Sequence, residues 1–145
     1  MESLNSGRAN LFDPIRRREV RATPEERVRQ HLIRALLARG VPASAILVEV
    51  SLRRLFPEIL GGARLDLAVA LPTFGGWDVR LLAECKAHAI GMPALAQLQA
   101  YQSHLKSRWY LLASSQEVWS WNTTSAEPIW VQDIPNSFDL GFSSL

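Results

Sequence analysis

One cysteine stands in this chain, Cys85. A single thiol cannot close an internal disulfide, and it cannot supply a zinc or iron–sulfur cluster. No apolar run approaches the roughly 20 residues needed to cross a bilayer, and no charged leader with an apolar middle precedes the body of the chain. A cytoplasmic location without a membrane partner is therefore expected. Asn122-Thr123-Thr124 matches the glycosylation sequon, which carries no weight without secretion. Neither a GxxxxGK[ST] loop nor a GxGxxG turn occurs, so no ATP site and no dinucleotide site is indicated. Lysine is scarce as well: Lys86 and Lys106 stand against 14 arginines. Arginine suits bidentate contacts to phosphate or carboxylate. The formal net charge of +2 is too small to imply a nucleic-acid partner by itself.

What is present is 145 residues, 48% hydrophobic and 21% charged, enough for one globular core. No repeat or low-complexity segment divides it. Residues 1–18 have the polar, turn-rich composition of a flexible arm, ending in Arg16-Arg17-Arg18. Such a run is ordinarily a solvated face; its functional reading is a phosphate contact. Residues 19–135 form the expected domain, and 136–145 an irregular tail.

Thr23-Pro24-Glu25-Glu26 is a helix start, with Thr23 as N-cap, Pro24 at N1 and Glu26 closing a capping box. The helix is expected to reach about Arg39, with Gly40 just past its end. At 100° per residue Glu26 lies between Ile33 and Leu37, toward the packed side. A capping role explains it; a role at a site is equally open. Ile46 to Leu52, Arg64 to Leu71 and Asp78 to Lys86 are strand candidates, the last two joined by a turn holding Gly75-Gly76. Met92 to Lys106 has the pattern of a second helix, on which Gln97 and Tyr101 share a face. Arg108 to Ala113 follows as a strand, then Glu117 to Trp121 and Pro128 to Val131 as added edge strands. The sum is a mixed α/β (α+β) sheet covered by helices.

The pleat puts Leu65, Leu67, Val69 and Leu71 on one face, and Arg64, Asp66, Ala68 and Ala70 on the other. In the second arm Val79, Leu81, Ala83 and Cys85 oppose Arg80, Leu82, Glu84 and Lys86. Aligning the apolar faces around Gly75 sets Asp66 opposite Glu84, Arg64 opposite Lys86 and Ala70 opposite Arg80. Facing carboxylates have Cβ atoms about 5 Å apart and repel when ionised. A divalent cation relieves that repulsion, and oxygen donors on adjacent strands suit Mg²⁺, with the Cys85 carbonyl as a third ligand. Such an ion polarises a phosphate oxygen and acidifies a water, while Lys86 orients that water or steadies the developing charge. An interstrand charge cluster, Asp66 with Arg64 or Arg80 and Glu84 with Lys86, explains the same spacing equally well. Trp119 and Trp121 share a strand face, where covering a core edge outweighs base stacking. His31, His88 and His104 are assigned no role.

Thr23-Pro24-Glu25-Glu26-Arg27-Val28-Arg29-Gln30, Arg64-Leu65-Asp66, Glu84-Cys85-Lys86 and the Gln97/Tyr101 pair occur in that order. Together with the lead-in Phe12-Asp13-Pro14-Ile15-Arg16-Arg17, the set resembles the N-terminal nuclease domain of type I restriction endonuclease R subunits, of the PD-(D/E)XK superfamily. The resemblance spans about Phe12 to Pro135. It implies a restriction-endonuclease-like core of order α-β-β-β-α-β. It implies Asp66 and Glu84 as Mg²⁺ ligands (Mn²⁺ substituting), Lys86 as catalytic lysine, Gln97 and Tyr101 as substrate-placing residues, and Glu26 as an acidic residue reaching the metal centre. Related domains often have Ala-Pro after the Glu-Cys-Lys triplet; here Ala87 is followed by His88. The R subunit's ATP-driven motor has no counterpart in this sequence. The implied activity is Mg²⁺-dependent hydrolysis of DNA, with other restriction-system subunits as partners. The alternatives are a catalytically inactive DNA-binding or assembly module and, third, an RNA hydrolase.

Overall fold

A helix start that satisfies its own backbone sets the first packed element. In the computed structural model, which describes residues 9–59, 62–88, 90, 106–123 and 130–142, α1 spans Pro24–Ala38. Thr23 Oγ1 accepts the Glu26 amide at 3.1 Å, capping one orphan donor. The second half of the expected capping box is absent, because the Thr23 amide donates to the Arg21 carbonyl instead. At the other end the Arg39 amide donates to the Ala35 and Leu36 carbonyls, and Gly40 takes the left-handed φ of 90° that ends the helix.

The helix lies on a six-stranded sheet of order β3-β4-β5-β6-β7-β8. Its strands are β3 (Ile46–Ser51), β4 (Arg64–Thr73), β5 (Gly76–Cys85), β6 (Trp109–Ala113), β7 (Val118–Asn122) and β8 (Trp130–Val131). All neighbours are antiparallel except β5 and β6, which run parallel. A parallel pair needs a long crossover. The stretch for which a second helix is expected falls within that crossover, and most of it, Gln97 and Tyr101 included, lies outside the described residues. The fold is a mixed α+β one, as expected, with the C-terminal edge strands β7 and β8 present.

Both sheet faces are buried. Val28, Leu32, Ile33 and Leu36 of α1 pack on Leu67, Val69, Leu81, Ala83 and Cys85. On the far face Leu82, Tyr110, Leu112 and Trp121 join Leu52 and Leu55 of α2 (Leu52–Leu55), a single turn that the expected strand over Ile46 to Leu52 had overrun by one residue. Each such buried aliphatic side chain contributes about 1.5–3 kcal/mol of transfer free energy. Two residues leave the faces that simple alternation gave them: Leu65 and Val79 pack in the far cluster. The cause for Val79 is a bulge. Pairing runs Thr73↔Gly76 to Ala70↔Val79, then resumes at Val69↔Leu81, leaving Arg80 unmatched. Ala70 therefore faces Val79, not Arg80. Leu65 lies next to the gap in the β3–β4 ladder between Val48↔Leu67 and Val50↔Leu65, where Glu49 has a φ of 51°.

From Asn10 onward the arm expected over 1–18 is not a free segment. Asn10–Asp13 (β1) pairs with Arg18–Arg21 (β2) as an antiparallel hairpin. Its turn is held by Asp13, fully buried, whose Oδ1 accepts the Ile15 and Arg16 amides at 2.7 and 2.9 Å. Aspartate bonds of this kind mimic a backbone turn. Beyond β8 the irregular tail is also docked: Leu140 is buried in the α1-side core, and its carbonyl accepts Arg80 Nη1 at 2.8 Å. The bulge residue thus fastens the tail to the sheet. Among the described residues no helix is long and apolar enough to cross a membrane.

Candidate active site

The site forms where two strands part. β4 keeps its partners on β3 down to Ser51↔Arg64, but its pairing with β5 ends at Leu67↔Ala83. The register there is the even-sum one expected, so Asp66 and Glu84 are the next residues along each strand. The Cys85 amide, no longer served by a β4 carbonyl, donates to Asp66 Oδ2 at 2.7 Å. Asp66 Oδ1 accepts Arg29 Nη2 of α1 at 2.9 Å. The carboxylate therefore bridges sheet and helix.

Glu84 is 22% exposed and stands 3.8 Å from the Lys86 ammonium, which is 42% exposed. Burial raises the Glu84 carboxyl above its ordinary value; the nearby Asp66 charge adds to that, and Lys86 offsets part of it. Lys86 is held at its backbone, its amide donating to the Ala113 carbonyl at 2.8 Å. The strand pair that the sequence singled out thus does bring Asp66, Glu84 and Lys86 to one end of the sheet.

Glu26 is linked to that end through Arg29, which also holds Asp66. It points to the packed side, as its azimuth required, but meets Arg16 Nη2 at 2.6 Å and Arg29 Nη1 at 3.0 Å. Its place is an ion-pair cluster fastening the β1–β2 hairpin to α1. The acidic residue facing Asp66 is the neighbouring Glu25. Its carboxyl is raised by burial, by the Asp66 charge and by a hydrogen bond to Asp66, with Arg29 and Lys86 opposing. Glu25 and Arg29, four apart on one helix face, were the signal for both missed residues. Burial works against the Arg29 charge, but Asp66 and Glu26 outweigh it and keep the guanidinium protonated. Glu49, across from Asp66 on β3, sits 3.7 Å from both Arg16 and Arg29.

Among the described residues no group of three or more His, Cys, Asp and Glu side chains is gathered as a metal cage. The donor chemistry nonetheless fits a hard cation: Asp66 makes protonation easier at both Glu25 and Glu84, the mark of carboxylates crowded together. Oxygen donors of this kind suit Mg²⁺, which keeps several waters and needs few protein ligands. Cys85 takes part through its backbone; its thiol is buried and pushed up, unavailable as thiolate. Trp121 is core, its ring 5.6 Å from that of Tyr110, and Trp119 donates to Glu117 at 3.2 Å. His31 and His88 are exposed, and His104 is outside the described residues.

A family model described as type I restriction enzyme R protein N terminus matches residues 24–135. Comparison with curated proteins and with solved structures gave no match.

Proposed function

We propose that this chain, which belongs to the type I restriction enzyme R protein N-terminus family, is a Mg²⁺-dependent nuclease domain that hydrolyses phosphodiester bonds in DNA. Family membership suggests nuclease-type function. The observation that carries the assignment is the parting of β4 from β5 at Leu67↔Ala83, which frees Asp66 and Glu84 beside Lys86. The strand arrangement is proposed to be a restriction-endonuclease-like PD-(D/E)XK core, its second helix provided by the crossover between β5 and β6.

Asp66, Glu84 and the Cys85 carbonyl are the proposed ligands. These groups would hold Mg²⁺, or Mn²⁺ in its place, which would supply charge for a phosphate oxygen and acidity for a water. The Cys85 amide fixes one Asp66 oxygen, so the carboxylate is oriented before any ligand arrives. Lys86 places an ammonium beside the ligand carboxylates, where it orients the attacking water and offsets charge developing on the phosphate. Gln97 and Tyr101 are proposed to position substrate. The domain would work in the cytoplasm, with other subunits of a restriction system.

One observation favours a second reading. Arg29 already occupies Asp66 Oδ1, as in a fold kept for binding or assembly without turnover. Cleavage of plasmid DNA by the purified chain in Mg²⁺, compared among wild type, Asp66→Ala, Glu84→Gln and Lys86→Ala, separates the two. The nuclease reading expects wild-type cleavage that each substitution lowers at least about 100-fold. No wild-type cleavage, or equal cleavage by all four, would sink it.

A further inference from the structure

An open cleft of about 630 Å³ lies between the β1–β2 hairpin and the start of α1, lined by Arg18, Arg21, Glu25, Arg29 and Ala87 among others. A second, of about 390 Å³, lies on the other side of the same helix start, lined by Arg27, His31, Ala87 and Ser114. The two share Pro24 and Ala87, the residue that follows Lys86 in the chain.

The arginines in these clefts divide into two kinds. Arg16 and Arg29 are consumed internally by Asp13, Glu26 and Asp66. Arg18, Arg21 and Arg27 are exposed and have no carboxylate partner among the described residues. Of the acids lining the first cleft, Glu25, Glu26 and Glu49 pair with Arg16 or Arg29, and Glu19 accepts Asn10 Nδ2 at 3.4 Å. The hairpin carrying Arg18 and Arg21 is not a loose arm. Arg16 ties it to Glu26, and Arg34 Nη2 donates to the Phe12 carbonyl at 3.0 Å. Docked, unpaired guanidinium groups on both sides of a reaction centre suit a polyanion whose charges recur along its length.

The geometry points to a DNA-backbone track: one strand runs through both clefts across the mouth of the site, its phosphates on one side held by Arg18 and Arg21 and on the other by Arg27. His31 and the Ser114 hydroxyl border the Arg27 side. This inference rests on the nuclease reading and names how that site receives its substrate. The contacts are to phosphate, so they position without reading sequence.

The test is binding, read separately from cleavage. Fluorescence anisotropy of a labelled DNA duplex is followed against salt with the full chain in chelator, where no hydrolysis occurs. The triple variant Arg18→Ala/Arg21→Ala/Arg27→Ala is expected to weaken binding at least about tenfold and to reduce the log–log salt slope by roughly 2–3, near 0.9 per lost phosphate contact. Replacement of the three by lysine is expected to keep most of the slope. Arg53→Ala on α2, outside both clefts, is expected to change nothing. An unaltered slope in the triple variant, an equal loss with Arg53→Ala, or no binding by wild type overturns the track. A wild type that binds along the track but never cleaves in Mg²⁺ overturns the nuclease reading and leaves the track standing. Cleavage that the triple variant retains in full, with its salt slope unchanged, does the reverse.

Discussion

Asp66 gives one carboxylate oxygen to Arg29 at 2.9 Å and the other to the Cys85 amide at 2.7 Å. One side chain thereby ends the β4–β5 ladder, satisfies the freed amide and seats the first helix on the sheet. The site and the fold share this joint, so changes there have two kinds of effect.

Arg29 is the side of the joint that governs stability. It is 6% exposed and serves both Asp66 and Glu26. Arg29→Met is expected to leave Asp66 without its guanidinium and Glu26 with Arg16 alone, and to cost about 2–4 kcal/mol, since breaking a buried pair strands its partner. A urea titration measures this, with an unchanged m-value showing that the fold is kept. A loss under about 0.5 kcal/mol would mean Arg16 alone holds the cluster.

Glu84 should act in the opposite sense. Its folded pKa is raised by burial and by Asp66. The folded state then binds more protons than the unfolded one, so this group's contribution is full below the ordinary value of 4.5 and is lost as pH rises through the raised value. Glu84→Gln is therefore expected to be more stable than wild type at pH 7, with the gap closing by about pH 4. Thermal midpoints across that range check it. A gap that widens toward acid refutes the assignment.

Mg²⁺ should stabilise the wild type at neutral pH. At ten times its dissociation constant the gain is about 1.4 kcal/mol. Asp66→Ala and Glu84→Gln should lose that gain while keeping the response to salt alone. Differential scanning fluorimetry with Mg²⁺ against matched ionic strength reads it directly.

Gly141 tests the docking of the tail. Its φ is 82°, and an added Cβ would lie 2.7 Å from Arg80 Nη1, which holds the Leu140 carbonyl. Gly141→Ala is expected to cost about 1–2 kcal/mol from the left-handed backbone alone. Equal stability would show that the tail contributes little.

The first helix was legible because Thr23, Pro24 and Gly40 act locally, each on the backbone beside it. The even register at Asp66 and Glu84 was legible because buried apolar side chains must share a face. The bulge at Arg80 was not, since it depends on a carbonyl sixty residues away in the tail. The N-terminal hairpin was hidden for a similar reason: Arg16 in a run of arginines looks solvated until Glu26 is seen opposite it. Choosing Glu26 over Glu25 came from equating the buried side of the helix with the side of the site. The buried side of the first turn faces the hairpin.

The bulge also has a counting consequence. The turn at Phe74-Gly75 pairs Thr73 with Gly76, an odd sum of residue numbers, whereas Leu67 with Ala83 makes an even one. Carried on unbroken, the odd phase would set Asp66 against Ala83 and Glu84 against Leu65, sending the two acids to opposite sides of the sheet. The unmatched Arg80 is a parity correction between hairpin tip and site. Deleting Arg80 would join Ala70↔Val79 directly to Val69↔Leu81 and keep the acids in phase, whereas drawing it into the ladder would not.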